Sequence, residues 1–186
     1  MGILTYSMIV SLDGHVADED GRFDWAMPDE AVHAFINDRE RAAGTYLYGR
    51  RMYEVMRFWE DVPGLDDEPA VVRDYAALWR EADKVVYSRT LADAGTARTR
   101  LERAFEPEAV RRLKAASGRE LTIGGPELAG QALAAGLVDE LGAFVVPVLV
   151  GGGTRWLPAG VRVDLELLEE RRFANGTVYA RYRVRS

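Results

Sequence analysis

The segment that most constrains the fold of this chain is LTIGGPELAGQALAAGLVDEL, at residues 121–141. It predicts a short apolar strand over Leu121–Ile123, a tight turn at the Gly124–Gly125 pair and a helix that begins at Pro126. Proline suits the first position of a helix, where no N–H is needed, and Gly136 suits the left-handed position that ends one. Paired glycines before a helix leave backbone N–H groups open to an anion. The pattern fits a phosphate-binding corner or an ordinary structural turn.

The composition is that of one globular domain. The chain has 186 residues, of which 48% are hydrophobic and 29% are charged. Its 24 basic and 30 acidic residues give a net charge of −6, which argues against nucleic acid or an anionic membrane as the main partner. Because there is no cysteine, disulfides, thiolate zinc sites and a cysteine nucleophile are excluded, and we expect no metal site. The start of the sequence carries no basic leader or long apolar run, so we expect a cytoplasmic protein.

The rest of the sequence alternates strands with helices. The apolar run Glu140–Val150 is typical of a strand covered on both faces, as in a parallel or mixed central sheet. Val163–Phe173 and Thr177–Val184 flank the turn pair Asn175–Gly176 and predict an antiparallel hairpin. The other predicted strands are Ile3–Val10, Thr45–Tyr48 and Lys84–Tyr87, and the other predicted helices are Pro28–Ala43, Arg50–Phe58, Ala70–Glu81 and Pro107–Ala116. This order predicts a largely parallel α/β domain closed by a C-terminal hairpin.

Further segments follow predicted strands, at the edge where open α/β sheets bind ligands. In SLDGHVA (11–17), Ser11 and Asp13 would lie near that edge, although the local sequence also fits a turn capped by its own side chain. In YLYGRRMYE (46–54), two arginines open a helix after a glycine, against the helix dipole. An anion would make that placement favourable, and two surface arginines are the alternative.

The segment VVYSRTL (85–91) ends a predicted strand with two hydroxyl groups and a guanidinium group, a set that suits a phosphate monoester as well as it suits an ordinary loop. The segment GGGT at 151–154 indicates either a place where two backbone segments approach closely or a flexible turn. One ligand with several phosphates, including a monoester, would explain the glycine pair and both arginine segments together. NADPH is such a ligand.

The order of these motifs resembles the dihydrofolate reductase superfamily. Within it, the chain is most similar to the reductase domain of the bacterial bifunctional deaminase-reductase of riboflavin biosynthesis and to its stand-alone relatives. The resemblance covers nearly the whole chain and is most specific from Gly124 to Gly151. It implies a dihydrofolate-reductase-like, three-layer α/β fold in a single domain, residues 1–186, with NADPH lying across the strand ends.

The resemblance also implies roles for individual residues. Ser88 and Arg89 would take the adenosine 2′-phosphate and so favour NADPH over NADH, and the loop from Ser11 to Ala17 would close over the nicotinamide. The Gly124–Gly125 peptide bond is commonly cis in this superfamily. The cofactor-binding residues implied in this way are Gly49, Arg50, Arg51, Ser88, Arg89, Thr90, Ile123, Gly124, Gly125, Pro126, Glu127 and Leu128.

Carboxylates are the candidates for chemistry at the substrate. Asp13 is the first candidate for substrate binding or proton supply, and the resemblance makes Ser11 and Trp25 further substrate contacts. Asp29 and Glu30 lie where dihydrofolate reductases place a carboxylate, and the alternative interpretation is that they are favourable acids at a helix start.

The predicted function is an NADPH-dependent reductase that passes hydride to a C=N or C=O carbon of a small heterocyclic or ribosyl substrate, as 5-amino-6-(5-phosphoribosylamino)uracil reductase does. Ile123 stands where riboflavin reductases usually carry an acid, so a dihydrofolate- or pteridine-type reductase is the alternative. A second alternative is a non-catalytic homodimer that binds a phosphorylated nucleotide, with the apolar strand and the C-terminal hairpin as its interface. A flavin-binding oxidoreductase is a third.

Overall fold

The structure is a computed structural model that describes residues 2–185. The strands within this range are β1 (Leu4–Ser11), β2 (His15–Ala17), β3 (Ala43–Gly49), β4 (Asp83–Tyr87), β5 (Thr99–Glu102), β6 (Glu120–Gly124), β7 (Glu140–Val146), β8 (Thr154–Arg155), β9 (Asp164–Arg172) and β10 (Val178–Arg185). The helices are α1 (Glu30–Glu40), α2 (Arg50–Met56), α3 (Ala70–Glu81), α4 (Pro107–Ala116) and α5 (Pro126–Ala134). Short 3-10 turns lie at Asp24–Ala26, Arg57–Glu60 and Leu65–Asp67.

The main sheet has eight strands in the order β5-β4-β3-β6-β1-β7-β10-β9. The six strands from β5 to β7 are parallel, and β10 runs antiparallel to both β7 and β9. The predicted α/β class, with a mostly parallel sheet and a C-terminal antiparallel hairpin, is therefore confirmed. Because parallel strands point the same way, the ends of β1, β3, β4 and β6 meet at one edge of the sheet.

Helices cover both faces of the parallel part of the sheet, which gives the expected three layers. Alternate side chains of β3 show this, since Leu47 packs in the cluster that contains residues of α4 and α5. Tyr46 and Tyr48 point the other way, into the cluster that contains Tyr75 of α3. No helix among residues 2–185 is long and apolar enough to cross a membrane.

The boundaries of two predicted elements are wrong by three or more residues at one end. The first helix spans Glu30–Glu40 instead of Pro28–Ala43, because the Asp29 side chain caps its start and Ala43 already belongs to β3. The long apolar strand ends at Val146 instead of Val150. Pro147 follows directly and has no N–H to donate to a strand ladder, so pairing ends there.

Two features were not predicted. Strand β5 extends the parallel sheet beyond β4, and β2 pairs with β8 in a separate antiparallel ribbon. Both involve very short strands, whose periodicity is too brief to be recognised in a sequence.

Candidate functional site

The ends of three neighbouring strands form the candidate site. In the registers of β3 with its neighbours, Gly49 pairs with Tyr87, and Tyr48 pairs with Gly124. A β-carbon on Gly125 would lie 3.8 Å from the backbone nitrogen of Gly49. The starts of α2 and α5 therefore lie side by side at this edge of the sheet.

The glycine pair is required by its surroundings. A β-carbon on Gly124 would lie 2.9 Å from the ring of Tyr48 and 3.1 Å from Cγ of Met52, which is too close. Gly125 has a φ of +98°, a conformation that other residues rarely adopt. The expectation of a cis bond between the two glycines is wrong, because all peptide bonds among residues 2–185 are trans. The chain turns this corner through the positive φ of Gly125.

Helix α5 is fixed at both ends, as the sequence predicts. Pro126 occupies its first turn, and Gly136 follows its end with a φ of +63°. The N–H of Gly136 donates to the carbonyl of Leu133 at 3.0 Å, and the N–H of Leu137 donates to the carbonyl of Ala132 at 2.9 Å. These two bonds form a Schellman motif, which satisfies the last carbonyls of the helix. The N–H groups of its first turn are directed toward the glycine corner.

The other predicted cofactor residues around α5 differ in what they can offer. The side chains of Ile123 and Leu128 lie in the core, with exposures of 0% and 4%, so only their main-chain groups can reach a ligand. Glu127 is exposed in the first turn of the helix.

The two arginine-bearing segments meet. Nη1 of Arg50 donates to Oγ1 of Thr90 at 2.9 Å, so the start of α2 is tied to the loop after β4. Arg50 also pairs with Glu54 at 3.3 Å. Arg51 and Arg89 are exposed beside this contact. The structure therefore brings the glycine corner and both arginine segments together at one edge.

Ser88 organises the loop after β4. Its side chain is buried, and its Oγ accepts hydrogen bonds from the N–H groups of Thr90 at 3.3 Å and Leu91 at 3.0 Å. Because both bonds use Oγ as an acceptor, the hydroxyl hydrogen of Ser88 is left to donate to another group.

Arg103 belongs to this corner and was missed in the sequence. It follows β5, and its Nη1 donates to the carbonyls of Ser88 at 3.0 Å and Leu91 at 2.7 Å. The sequence does not indicate a strand before Arg103, because β5 has only four residues and two of them are charged.

The loop after β1 is anchored by Ser11 and Asp13. Oγ of Ser11 accepts from the N–H of His15 at 2.9 Å. The Asp13 carboxylate accepts from the N–H groups of Val150 at 3.2 Å and Gly151 at 2.8 Å. The Ser11 hydroxyl and these two N–H groups hold the pKa of Asp13 well below its usual range. Asp13 is therefore ionised at neutral pH and has no proton to give, while its contact with substrate remains a prediction.

The glycine-rich segment 151–154 approaches other backbone closely. A β-carbon on Gly153 would overlap the carbonyl oxygen of Ala17, and one on Gly152 would lie 2.5 Å from Oε1 of Glu19. Of the two interpretations of GGGT, the close approach is the one that the structure shows. It allows β8 to pair with β2 and leaves beside Asp13 an open cavity of about 200 Å³, lined also by Gly14, Arg155, Trp156 and Leu157.

The acids at the start of α1 have different surroundings. The Asp29 carboxylate accepts from the N–H of Val32 at 2.9 Å, so it caps the helix. Glu30 is exposed in the first turn. Trp25 lies in the 3-10 turn beside β1, and its buried indole N–H has no hydrogen-bond partner among residues 2–185. The contact of Trp25 with substrate stays a prediction.

Aromatic rings join the start of α1 to the turn after α2. The His33 ring lies 6.0 Å from that of Trp59 and 5.8 Å from that of Tyr75, centroid to centroid. Burial lowers the pKa of His33. His33 therefore packs among the aromatic rings of Trp59 and Tyr75.

The residues present fit a phosphorylated dinucleotide. The first turn of α5 offers main-chain N–H groups to a phosphate, and the arginines near it supply positive charge in a chain whose net charge is −6.

Comparisons with known proteins agree with this geometry. The model of the RibD C-terminal domain family matches residues 3–179. The chain is 27% identical over 179 residues to the uncharacterised protein YyaP of Bacillus subtilis, covering 94% of this chain and 91% of YyaP. It is 32% identical over 162 residues to the riboflavin biosynthesis protein RibD of Mycobacterium tuberculosis, covering 80% of this chain and 43% of RibD. The chain thus spans less than half the length of that relative.

Solved structures show the same fold. A pyrimidine reductase-like protein of Corynebacterium diphtheriae superposes with a TM-score of 0.70 at 16% identity, covering 100% of this chain and 92% of its own. Dihydrofolate reductase of Enterococcus faecalis, solved with NADP(H), superposes with a TM-score of 0.67 at 14% identity, covering 100% and 98%. The fold is therefore that of dihydrofolate reductase, and the protein belongs to the family of RibD C-terminal reductase domains.

Proposed function

We propose that the protein is an NADPH-dependent reductase that passes hydride to a C=N or C=O carbon of a small heterocyclic or ribosyl substrate. The observation that carries the proposal is the convergence of three strand ends. Gly125 lies against Gly49, and Arg50 is bonded to Thr90, so one ligand can touch all three. Membership of a family of reductase domains supports the reaction class.

Different residues would bind different parts of the cofactor. The glycine corner and the first turn of α5 would hold the pyrophosphate, with Arg50 and Arg51 beside it. Ser88 and Arg89 would hold the 2′-phosphate. When bound, NADPH supplies the hydride, and the protein contributes alignment and exclusion of water. The ribbon of β2 and β8 would cover the nicotinamide end of the site.

The substrate we favour is a phosphoribosylamino-pyrimidine, as for 5-amino-6-(5-phosphoribosylamino)uracil reductase. The likeness to RibD supports it. A pteridine is the second candidate, and a specific observation favours it. Glu30 is exposed at the start of α1, five residues after Trp25, whose indole N–H is unpaired among residues 2–185. Such a carboxylate is suited to protonate or orient a ring nitrogen.

Nucleotide binding tests the proposal directly. NADPH at about 100 times its dissociation constant should add about 2.7 kcal/mol of stability, which for a chain of this size raises Tm by about 5–10 °C. NADH should give a smaller rise. Loss of NADPH absorbance on adding a pyrimidine or a pteridine substrate then separates the two reductase candidates. No response to either nucleotide would refute the proposal.

Association into a homodimer remains a prediction, as does the cytoplasmic location. Leu165 and Leu167 support the dimer, because they are 42% and 54% exposed on β9, the outermost strand of the sheet. Light scattering on the purified protein would measure the mass of the particle and so the number of chains in it.

A dimer that binds NADPH without turnover of either substrate would favour the non-catalytic alternative. A purified protein without yellow colour would argue against the flavin alternative.

A further inference from the structure

The loop after β4 is held from two sides by arginines of two other elements. Arg50, at the start of α2, donates to Oγ1 of Thr90. Arg103, after β5, donates through Nη1 to the carbonyls of Ser88 and Leu91 at 3.0 and 2.7 Å. These two carbonyls lie on either side of Arg89 and Thr90. The Arg103 side chain therefore fixes both ends of the loop that carries Arg89.

This arrangement concentrates positive charge. Arg89 lies within the loop Ser88–Leu91, and Arg50 and Arg103 donate to that loop, although the chain as a whole has a net charge of −6. Arg50 pairs with Glu54, whereas Arg89 and Arg103 have no carboxylate within 4.0 Å in residues 2–185. Like charges gathered in this way are unfavourable unless an anion compensates them. A phosphate monoester carries close to two negative charges at neutral pH and meets that need.

We propose that Arg103 is a positioning residue for a phosphate-monoester site at the loop Ser88–Leu91, and so sets the preference for NADPH over NADH. The proposal rests on the proposed function. By holding the carbonyls of Ser88 and Leu91, Arg103 keeps the loop in the conformation in which the N–H groups of Thr90 and Leu91 donate to Oγ of Ser88. The Ser88 hydroxyl hydrogen is then directed away from the loop, toward a ligand oxygen.

The shape of the guanidinium group matters here as well as its charge. One Nη group of Arg103 makes both carbonyl bonds, and its Nε and other Nη group make no hydrogen bond within residues 2–185. These N–H groups remain available to the same anion. A lysine carries three N–H donors on one compact ammonium group, so a lysine that holds both carbonyls keeps only one N–H for a phosphate.

The test measures dissociation constants of NADPH, NADH, 2′,5′-ADP and 5′-ADP by calorimetry for the wild type, Arg103→Ala and Arg103→Lys. Arg100→Ala is the matched control, because Arg100 lies on β5, three residues before Arg103, is exposed and pairs with Glu102. Charge-assisted hydrogen bonds predict that Arg103→Ala weakens NADPH and 2′,5′-ADP about ten- to a hundredfold. The constants for NADH and 5′-ADP should stay unchanged. Arg103→Lys should restore the preference only in part, and Arg100→Ala should leave it intact.

Other outcomes would overturn the inference. A wild-type preference for NADPH that survives in Arg103→Ala shows that Arg103 does not position the site. Full restoration by Arg103→Lys shows that charge alone suffices, and an equal loss of NADH and NADPH in both variants shows a general structural role. A wild type that binds neither nucleotide refutes the reductase proposal itself and is distinguishable from these results.

Discussion

The carboxyl group of Glu40, at the end of α1, makes stability depend on pH. Its Oε2 is buried and has no hydrogen-bond partner among residues 2–185. Burial raises its pKa from 4.5 to about 7, the charge of Glu120 adds to the rise, and the hydroxyl groups of Tyr46 and Thr122 offset part of it. The native protein therefore binds this proton more tightly than the unfolded chain does.

The sign and size of the effect follow from this difference. The native state is most favoured below pH 4.5, loses stability as the pH rises toward 7, and changes little from this group at higher pH. The rise in the pKa of Glu40 from 4.5 to about 7 corresponds to about 3 kcal/mol in the free energy of unfolding. Glutamine has nearly the same shape and cannot ionise. Glu40→Gln should therefore be more stable than the wild type by about 3 kcal/mol at pH 8 and by less than about 1 kcal/mol at pH 5.

Urea unfolding at the two pH values measures this gain directly. Glu81→Gln, which removes an exposed carboxylate at the end of α3, is the control and should change stability little at either pH. The reasoning is refuted if the gain from Glu40→Gln is the same at both pH values, or if the variant is less stable than the wild type at pH 8. Either result would mean that the native carboxylate is ionised and well solvated.

Three further substitutions test the corners and the core. Arg89→Ala should weaken NADPH binding about tenfold or more with little effect on NADH, measured by calorimetry, and equal effects would remove the 2′-phosphate role. Gly125→Ala should destabilise the protein by about 1–3 kcal/mol in urea, because its φ is +98°, whereas Gly118→Ala, with open space around it, should not. Lys84→Met leaves two carbonyls at the end of α3 without their donor, so unfolding in urea should show a loss of about 2–3 kcal/mol.

Local sequence patterns predicted the elements of the glycine corner well. Pro126 and Gly136 bound a helix for reasons that lie within the helix itself, and the structure has both in those positions. The Asn175–Gly176 turn joins β9 and β10 for the same reason, with a φ of +89° at Gly176. The rule that parallel strands end at one edge predicts that the two arginine segments come together, and the contact of Arg50 with Thr90 agrees with it.

Features that depend on distant parts of the chain could not be predicted. Arg103 acts on Ser88 only because β5 pairs with β4, and four residues give no readable periodicity. Glu40 ends an ordinary helix, and the hydroxyl groups that act on its pKa, those of Tyr46 and Thr122, come from two different strands. The anchoring of Asp13 by Val150 and Gly151 joins residues nearly 140 positions apart.

That last connection bears on how the site opens. Asp13 bonds to the main chain of Gly151, Gly153 fits against Ala17, and β2 pairs with β8, so the two surface loops are fastened to each other at three points. Neither loop can swing away alone without breaking all three. Entry of a ligand beneath them requires the two loops to move together, and hydrogen exchange of their amides should report a common free energy of opening.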